Sequence, residues 1–575
     1  MRSSLSLVAV FAATLLSACA QLPKEDQSVA AQETVPVAKP KPPVLPDQAL
    51  TDQILYQFLM AEVAGQRGKL ELSTQAYLDL AQNTRDPRIA QRATEVALFA
   101  RASEQALQAA TLWQELDPES MQARQSTAAL LVNSGKLEEA RPLLEKLIAG
   151  EGNKAGAGFM HLNSLLARQT DKVGVLKLVR ELAAGYPNLP EAHFAIAQAA
   201  WNAERADEAD AAIQEAFRLN PGWEPAALFR AQILQRTSNE SAVKFLRDFL
   251  KAYPKASGVR LTLARFLVSD KQFEAARAQF QQLLADAPDN VEVTMAMGLL
   301  SMQLDDLDGA EGYFKRVLEL GVKDENTVRI YLGQINEARK HYDEAIAWYS
   351  GVGKGEQYLQ AQVRVAALLA RQGKLEDARK HLQELPTQNN QQRVVLIQAE
   401  AQLLRDAKAY QEVYDLLTHS LEKLPNYPEL LYDHGMAAEK LDRLTVMEQD
   451  LRKLIQLKPD HAHAYNALGY TLADRTGRLD EAKQLLEQAL KLSPEDPFIM
   501  DSMGWLYYRM GKLTDALEYL KRAYEQRADP EIAAHLGEVL WAQGNRDEAE
   551  KIWTAALKDN PDNESLASVI KKFKH

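Results

Sequence analysis

Five acidic pairs, Glu138-Glu139, Asp343-Glu344, Glu376-Asp377, Asp480-Glu481 and Asp547-Glu548, are the first candidates for chemistry in this chain. Paired carboxylates can divide acid and base roles or hold a cation. Each pair, however, stands just before an alanine that opens a helical pattern, and a helix N-terminus stabilises negative side chains through its free N–H groups and dipole. That recurrence predicts a structural role. His461 and His463 could supply two metal ligands, but no HExxH occurs and the single cysteine, Cys19, cannot complete a zinc set. The glycine groups Gly150/Gly152/Gly156 and Gly351/Gly353/Gly355 fit neither phosphate-loop nor dinucleotide spacing, and no GxSxG elbow is present. The expectation is a chain with no catalytic residues, no metal and no cofactor.

The elements that must position these residues are repeated. Small residues recur in pairs 12 apart: Ala128 and Ala140, Ala197 and Ala209, Ala264 and Ala276, Gly298 and Ala310, Gly333 and Ala345, Ala366 and Ala378, Gly504 and Ala516, Gly537 and Ala549. From Ala264 the first members step by 34, 35 and 33 residues to Ala366, and Gly435, Gly469, Gly504 and Gly537 follow at 34, 35 and 33, the period of the tetratricopeptide repeat. Such a unit is two antiparallel helices, A and B, and the small pair marks where they cross, because only Gly or Ala lets the backbones come close. In one unit Tyr465, Leu468, Gly469, Leu472, Ala482, Leu486, Ala489 and Pro494 stand where the repeat places its aromatic, Leu, Gly, Tyr, Ala, Phe, Ala and Pro. Its one extra residue is assigned to the turn ADRTGRL. The fold class expected is all-α, a superhelical solenoid of about fifteen such hairpins. Residues 50–355 form a more degenerate array, 356–561 a C-terminal array, and 562–575 a capping helix. The polar stretches 350–357 and 386–392 are the expected joints.

Residues 1–18, MRSSLSLVAVFAATLLSA, carry one Arg and then an apolar run too short to span a bilayer, which suits a secretory signal. The signal ends Leu16-Ser17-Ala18-Cys19, which resembles the bacterial lipobox. That resemblance implies diacylglycerol on Cys19, cleavage before it and, with Ala20 in place of an inner-membrane-retaining Asp, a lipid anchor in the outer membrane facing the periplasm. Residues 19–49 then form a tether with six prolines, extended at about 3.1 Å per residue.

The segments LYQFLMAEVAGQRGKLELSTQAY (55–77) and TRDPRIAQRATEVALFAR (84–101) resemble the amino-terminal repeats of large outer-membrane tetratricopeptide lipoproteins of Gram-negative bacteria. The resemblance implies a non-catalytic adaptor that binds a periplasmic carboxyl-terminal processing protease, a serine protease, together with its peptidoglycan-hydrolase substrates. The alternative is an outer-membrane scaffold for exopolysaccharide secretion or envelope complex assembly, and a hydrolase is the third reading. Family geometry places helix A positions 2, 5, 9, 12 and 13, counting the Gly/Ala as 8, on the concave face. Carried over residue by residue, the protein-binding face receives Tyr432, Met436, His463, Asn466, Tyr470, Asp474, Phe498, Asp501, Trp505, Tyr508, Arg509 and Trp541. Aromatics and Arg are what binding hot spots are made of. A formal net charge of -12 over 575 residues disfavours nucleic acid as a partner and leaves proteins.

Overall fold

The structure, a computed structural model, describes residues 45–150, 155–561 and 563–574. The signal segment, Cys19, Gly152 and all but the last residues of the tether lie outside them. Among the described residues there are 31 α-helices, one π-helical segment and no strand. No helix among them is long and apolar enough to cross a membrane.

The helices alternate as the period predicts. In the hairpins of each unit the A and B helices pack on each other, except that Ala155–Leu166 and Lys172–Ala183 are joined through the helices before and after them, and each B helix packs on the next A helix. The small residues carry this crossing. A Cβ added to Gly469 would stand 2.7 Å from Leu486 Cγ, and one on Gly504 2.6 Å from Leu520 Cγ. The residue about sixteen positions on therefore fills the groove that the glycine leaves, and at Gly537 that filler is the indole of Trp553. Helix starts are set by caps: Asp496 Oδ1 accepts from the N–H groups of Phe498 and Ile499, followed by Pro497 in the first turn. All five acidic pairs fall in the first turn of a B helix. The extra residue near Gly469 is absorbed as a π-helical segment, Leu472–Thr476, which ends on Gly477 at a φ of +73°.

Two compact units result, the described residues of Met1–Asp306 and those of Leu307–His575. Each holds seven complete hairpins. Helix Val291–Gln303 closes the first unit, helix Leu307–Leu320 opens the second, and helix Glu564–Lys574 covers the last hairpin of the second. Compactness thus divides the chain at 306/307, whereas repeat quality marks 355/356. The loop 350–357 is no free joint. Val352 is buried with Tyr349, Ala361 and Val365, and the Asn326 amide accepts from Gly353 N–H at 2.8 Å and donates to its carbonyl at 3.2 Å. At 386–392 the chain turns into helix Asn390–Asp406, with Asn389 as its cap.

The two ends differ. Helix Asp52–Gln66 buries Ala61 and Ala64, yet leaves Tyr56, Phe58, Leu59 and Val63 exposed, because the described chain supplies no preceding B helix to cover that face.

Candidate functional site

In the second unit the A helices Ala462–Thr471, Pro497–Arg509 and Pro530–Ala542 touch their neighbours in turn, so their corresponding faces form one wall. Near its centre the Trp505 ring stacks on the His535 imidazole, centroids 4.2 Å apart and planes 26° from parallel. His535 Nδ1 lies 2.9 Å from Asp501 Oδ2, and its Nε2 lies 3.4 Å from the Tyr470 hydroxyl. Trp505 Nε1 donates to Asp474 Oδ1 at 3.1 Å, and Arg509 donates to the same oxygen at 2.9 Å and to the Asp474 carbonyl at 2.7 Å. Three successive hairpins are bolted together by these contacts.

The electrostatics follow from burial. Desolvation alone would push the His535 imidazolium toward losing its proton, but the Asp501 carboxylate, aided by Glu538 and Glu531, overrides it and raises the group above its usual range. Glu538 is itself raised, first by desolvation, against the opposing pull of Lys572 and His535. Burial, then the carboxylates of Asp474, Asp501, Glu531 and Glu439, hold the Tyr470 phenol protonated.

Of the residues expected on the binding face, Tyr470, Asp474, Asp501, Trp505, Tyr508 and Arg509 come together here, with Tyr508 5.1 Å from Trp505. The others are placed elsewhere. Tyr432 lies 5.5 Å from His461, whose own Nδ1 caps its helix at Ala464. His463 is exposed, 3.9 Å from Asp496, and Met436 is half-buried. Asn466 has a buried Oδ1 with no hydrogen-bond partner among the described residues. Phe498 lies under the Arg527 guanidinium and packs beside Met500 and Ile532. Trp541 stacks on Trp553 at 5.8 Å and meets Phe573 of the last helix, so its half-buried ring packs against the core of the final hairpin.

Sequence reasoning missed His535, two residues before Gly537 and so one place off the transferred pattern, and Glu538, at the same position as Tyr470 and Trp505. It also missed His434, whose ring lies 2.6 Å from Asp450 Oδ2 and 2.9 Å from Thr418 Oγ1. The order of groups is that of an acid–base–nucleophile triad. Yet the one Thr418 proton has the Tyr414 carbonyl at 2.8 Å as a competing acceptor, and His434 stacks on the Tyr414 ring at 4.5 Å, which also carries the Arg443 guanidinium at 4.2 Å. The arrangement braces two hairpins.

The first unit has a different feature. A cavity of about 370 Å³ opens between helices Ala155–Leu166, Lys172–Ala183, Pro190–Asn202 and Glu224–Thr237. Leu166, Val175, Val179, Trp201 and Phe229 make its apolar lining, and amide side chains edge it.

Comparison with known proteins agrees with the repeat pattern. Models described as tetratricopeptide repeat match residues 190–222, 234–300, 267–329, 428–461, 462–496 and 507–572. The chain is 33% identical over 541 residues to TPR repeat-containing protein PA4667 of Pseudomonas aeruginosa, covering 94% of this chain and 90% of that one. It is 23% identical over 350 residues to cellulose synthase operon protein C of Pseudomonas fluorescens, covering 50% of this chain and 27% of the other. A solved tetratricopeptide repeat protein from Parabacteroides merdae aligns at 17% identity and a TM-score of 0.33, over 50% of this chain and 99% of that one. Stacked A and B helices, the recurring Gly/Ala crossings and a full-length relative place the chain in the tetratricopeptide-repeat family, whose repeats are scaffolds for protein–protein interaction.

Proposed function

We propose that this chain is a non-catalytic adaptor lipoprotein, anchored through Cys19 in the outer membrane on its periplasmic side, that holds a carboxyl-terminal processing protease beside its peptidoglycan-hydrolase substrates. The observation that carries the reading is the run of stacked A helices in each unit, the surface that repeats of this family offer to other proteins. The lipobox resemblance at Leu16–Cys19 and the likeness of segments 55–77 and 84–101 to adaptor lipoproteins support it. A tether raises the effective concentration of whatever the array grips, without any new contact.

Affinity capture of the intact chain from cell envelopes tests the proposal. Recovery of a serine protease together with a wall hydrolase is expected, and Cys19→Ser should release the complex into the soluble periplasm. Recovery of neither enzyme sinks the reading. A second reading, a scaffold for exopolysaccharide secretion, is favoured by the partial likeness to the cellulose synthase operon protein, and co-purification of an outer-membrane β-barrel would select it.

A further inference from the structure

One hairpin of the first unit lacks the feature that closes the others. On either side of it the crossing pairs are Ala128/Ala140 and Ala197/Ala209, and the remaining hairpins of the unit keep Ala, Ser or Thr at both places. In the hairpin of helices Ala155–Leu166 and Lys172–Ala183 the corresponding places, 34 or 35 residues from those of each neighbour, hold Leu162 and Val175. Both side chains are buried, and two branched side chains at a crossing hold the backbones apart. These helices accordingly do not pack along each other. Each rests instead on helix Leu137–Gly150 before it and on helix Pro190–Asn202 after it.

The space that a crossing would fill is left open. The cavity of about 370 Å³ is walled by both helices together with Trp201 and Phe229. A second cavity, of about 340 Å³, borders the other side of helix Ala155–Leu166, where Leu144, Ile148 and Leu165 line it. Folded interiors leave few voids larger than a water molecule, so a helix with one on each flank has lost van der Waals partners on both. Polar atoms are left over as well: the Asn163 amide nitrogen and Oε2 of Glu191 are buried without a hydrogen-bond partner among the described residues. Gly156 and Gly158 let the start of the helix lie against Glu191 and Ile148, at a cost in helix propensity.

We propose that this hairpin is a hinge within the first unit. Helices Ala155–Leu166 and Lys172–Ala183 slide past each other because no crossing binds them, and the hairpins before and after turn as bodies about the pair. The curvature of the A-helix wall in this unit changes with that angle. The 350–357 loop, by contrast, is pinned through Asn326. The hinge follows from packing alone and holds or fails whatever the chain binds.

Spin labels test it on the full chain carrying Cys19→Ser, which leaves no thiol except those introduced. Labels at Lys146→Cys and Gln214→Cys span this hairpin. Labels at Gln214→Cys and Gln281→Cys span the hairpin of helices Glu224–Thr237 and Asn239–Ala252, which do pack on each other. All three sites are exposed, and both pairs run from one B helix to the next but one. The distance distribution of the first pair should be at least about twice as broad as that of the second. Hydrogen exchange in Ala155–Leu166 should be at least about tenfold faster than in the A helices on either side, Met121–Asn133 and Pro190–Asn202. Ala199→Leu, which puts a larger side chain into the cavity, should narrow the first distribution and leave the second unchanged. Equal widths for the two pairs overturn the proposal. Fast exchange with equal widths overturns it too, since that marks a helix that frays in place. A first distribution that stays broad in a folded Ala199→Leu chain shows that the open crossing is not the cause. The widths and exchange rates with Ala199 in place need no core variant, so they decide even where Ala199→Leu does not fold.

Discussion

The wall around His535 and the cavity beside Trp201 are built from corresponding faces of the same repeated helix, yet they differ in what their polar groups are free to do. Around His535, Asp501 is held by the imidazole and Asp474 by Trp505 and Arg509, with distances of 2.9 to 3.1 Å between them. Beside Trp201 the amides of Asn202 and Gln232 are exposed and that of Gln198 is half-buried, with no partner among the described residues. An abundance of aromatic and charged residues therefore does not measure availability. What a partner can use is what remains after neighbouring hairpins have satisfied one another.

The largest way to test that contrast is at Trp553, which is fully buried and supports Trp541 and Phe573. Trp553→Ala should cost about 3–5 kcal/mol, read as a lower urea midpoint for the second unit. A change under about 0.5 kcal/mol, the scale of a surface substitution, would show that the final hairpin does not depend on this aromatic cluster. Next in size is Asp501→Asn. It leaves a buried imidazolium without its carboxylate, and because the ring can shed its proton the cost should be about 1–3 kcal/mol. With His535→Gln in the same chain most of that cost should vanish, and a double-mutant cycle measures the coupling.

The fold was readable because spacing encodes it. Gly469, Gly504 and Gly537 must be small where Leu486, Leu520 and Trp553 press on them, and that necessity repeats every 33 to 35 residues. How the side chains of the expected face are engaged was less readable. Position along a repeat says which way a side chain points, but not whether the next hairpin takes it. Thus Tyr470 and Asp501 meet His535 across three hairpins, while Trp541 and Phe498, chosen by the same count, are half-buried against Phe573 and under the Arg527 guanidinium. His535 escaped because it sits one place off the pattern and acts through residues from two earlier hairpins. The 350–357 loop reads as a joint from its glycines, and only the pairing of Asn326 with Gly353 pins it. The cavity in the first unit is a property of four helices together, with no single motif to announce it.

Acidity gives a smaller, directional test. His535 is raised in the folded chain, so the stability it lends is fully present below about 6.5, its ordinary value, and is lost as pH rises through the folded value. Glu538, raised as well, works in the same sense at lower pH. His381 and His461 are lowered, chiefly by desolvation, so they act on the acid side of that window. From pH 6.5 upward the second unit should therefore lose stability, by thermal melting, with His535→Gln flattening the slope. A slope unchanged by His535→Gln would show that Asp501 and the imidazole are not coupled as the geometry implies.

The smallest expected change is the one that separates the two regions most cleanly. Gln198→Ala and Gln232→Ala remove amides that satisfy nothing inside the protein, so each should move the urea midpoint by no more than about 0.5 kcal/mol of stability. Asp474→Ala, by contrast, strips the Trp505 N–H and the Arg509 guanidinium of their shared acceptor and should cost about 1–3 kcal/mol. A side chain engaged by its neighbours shows its loss in stability, and one left to solvent does not. If Gln198→Ala proved as destabilising as Asp474→Ala, the amides would be structural after all, and the contrast between the two regions would fall.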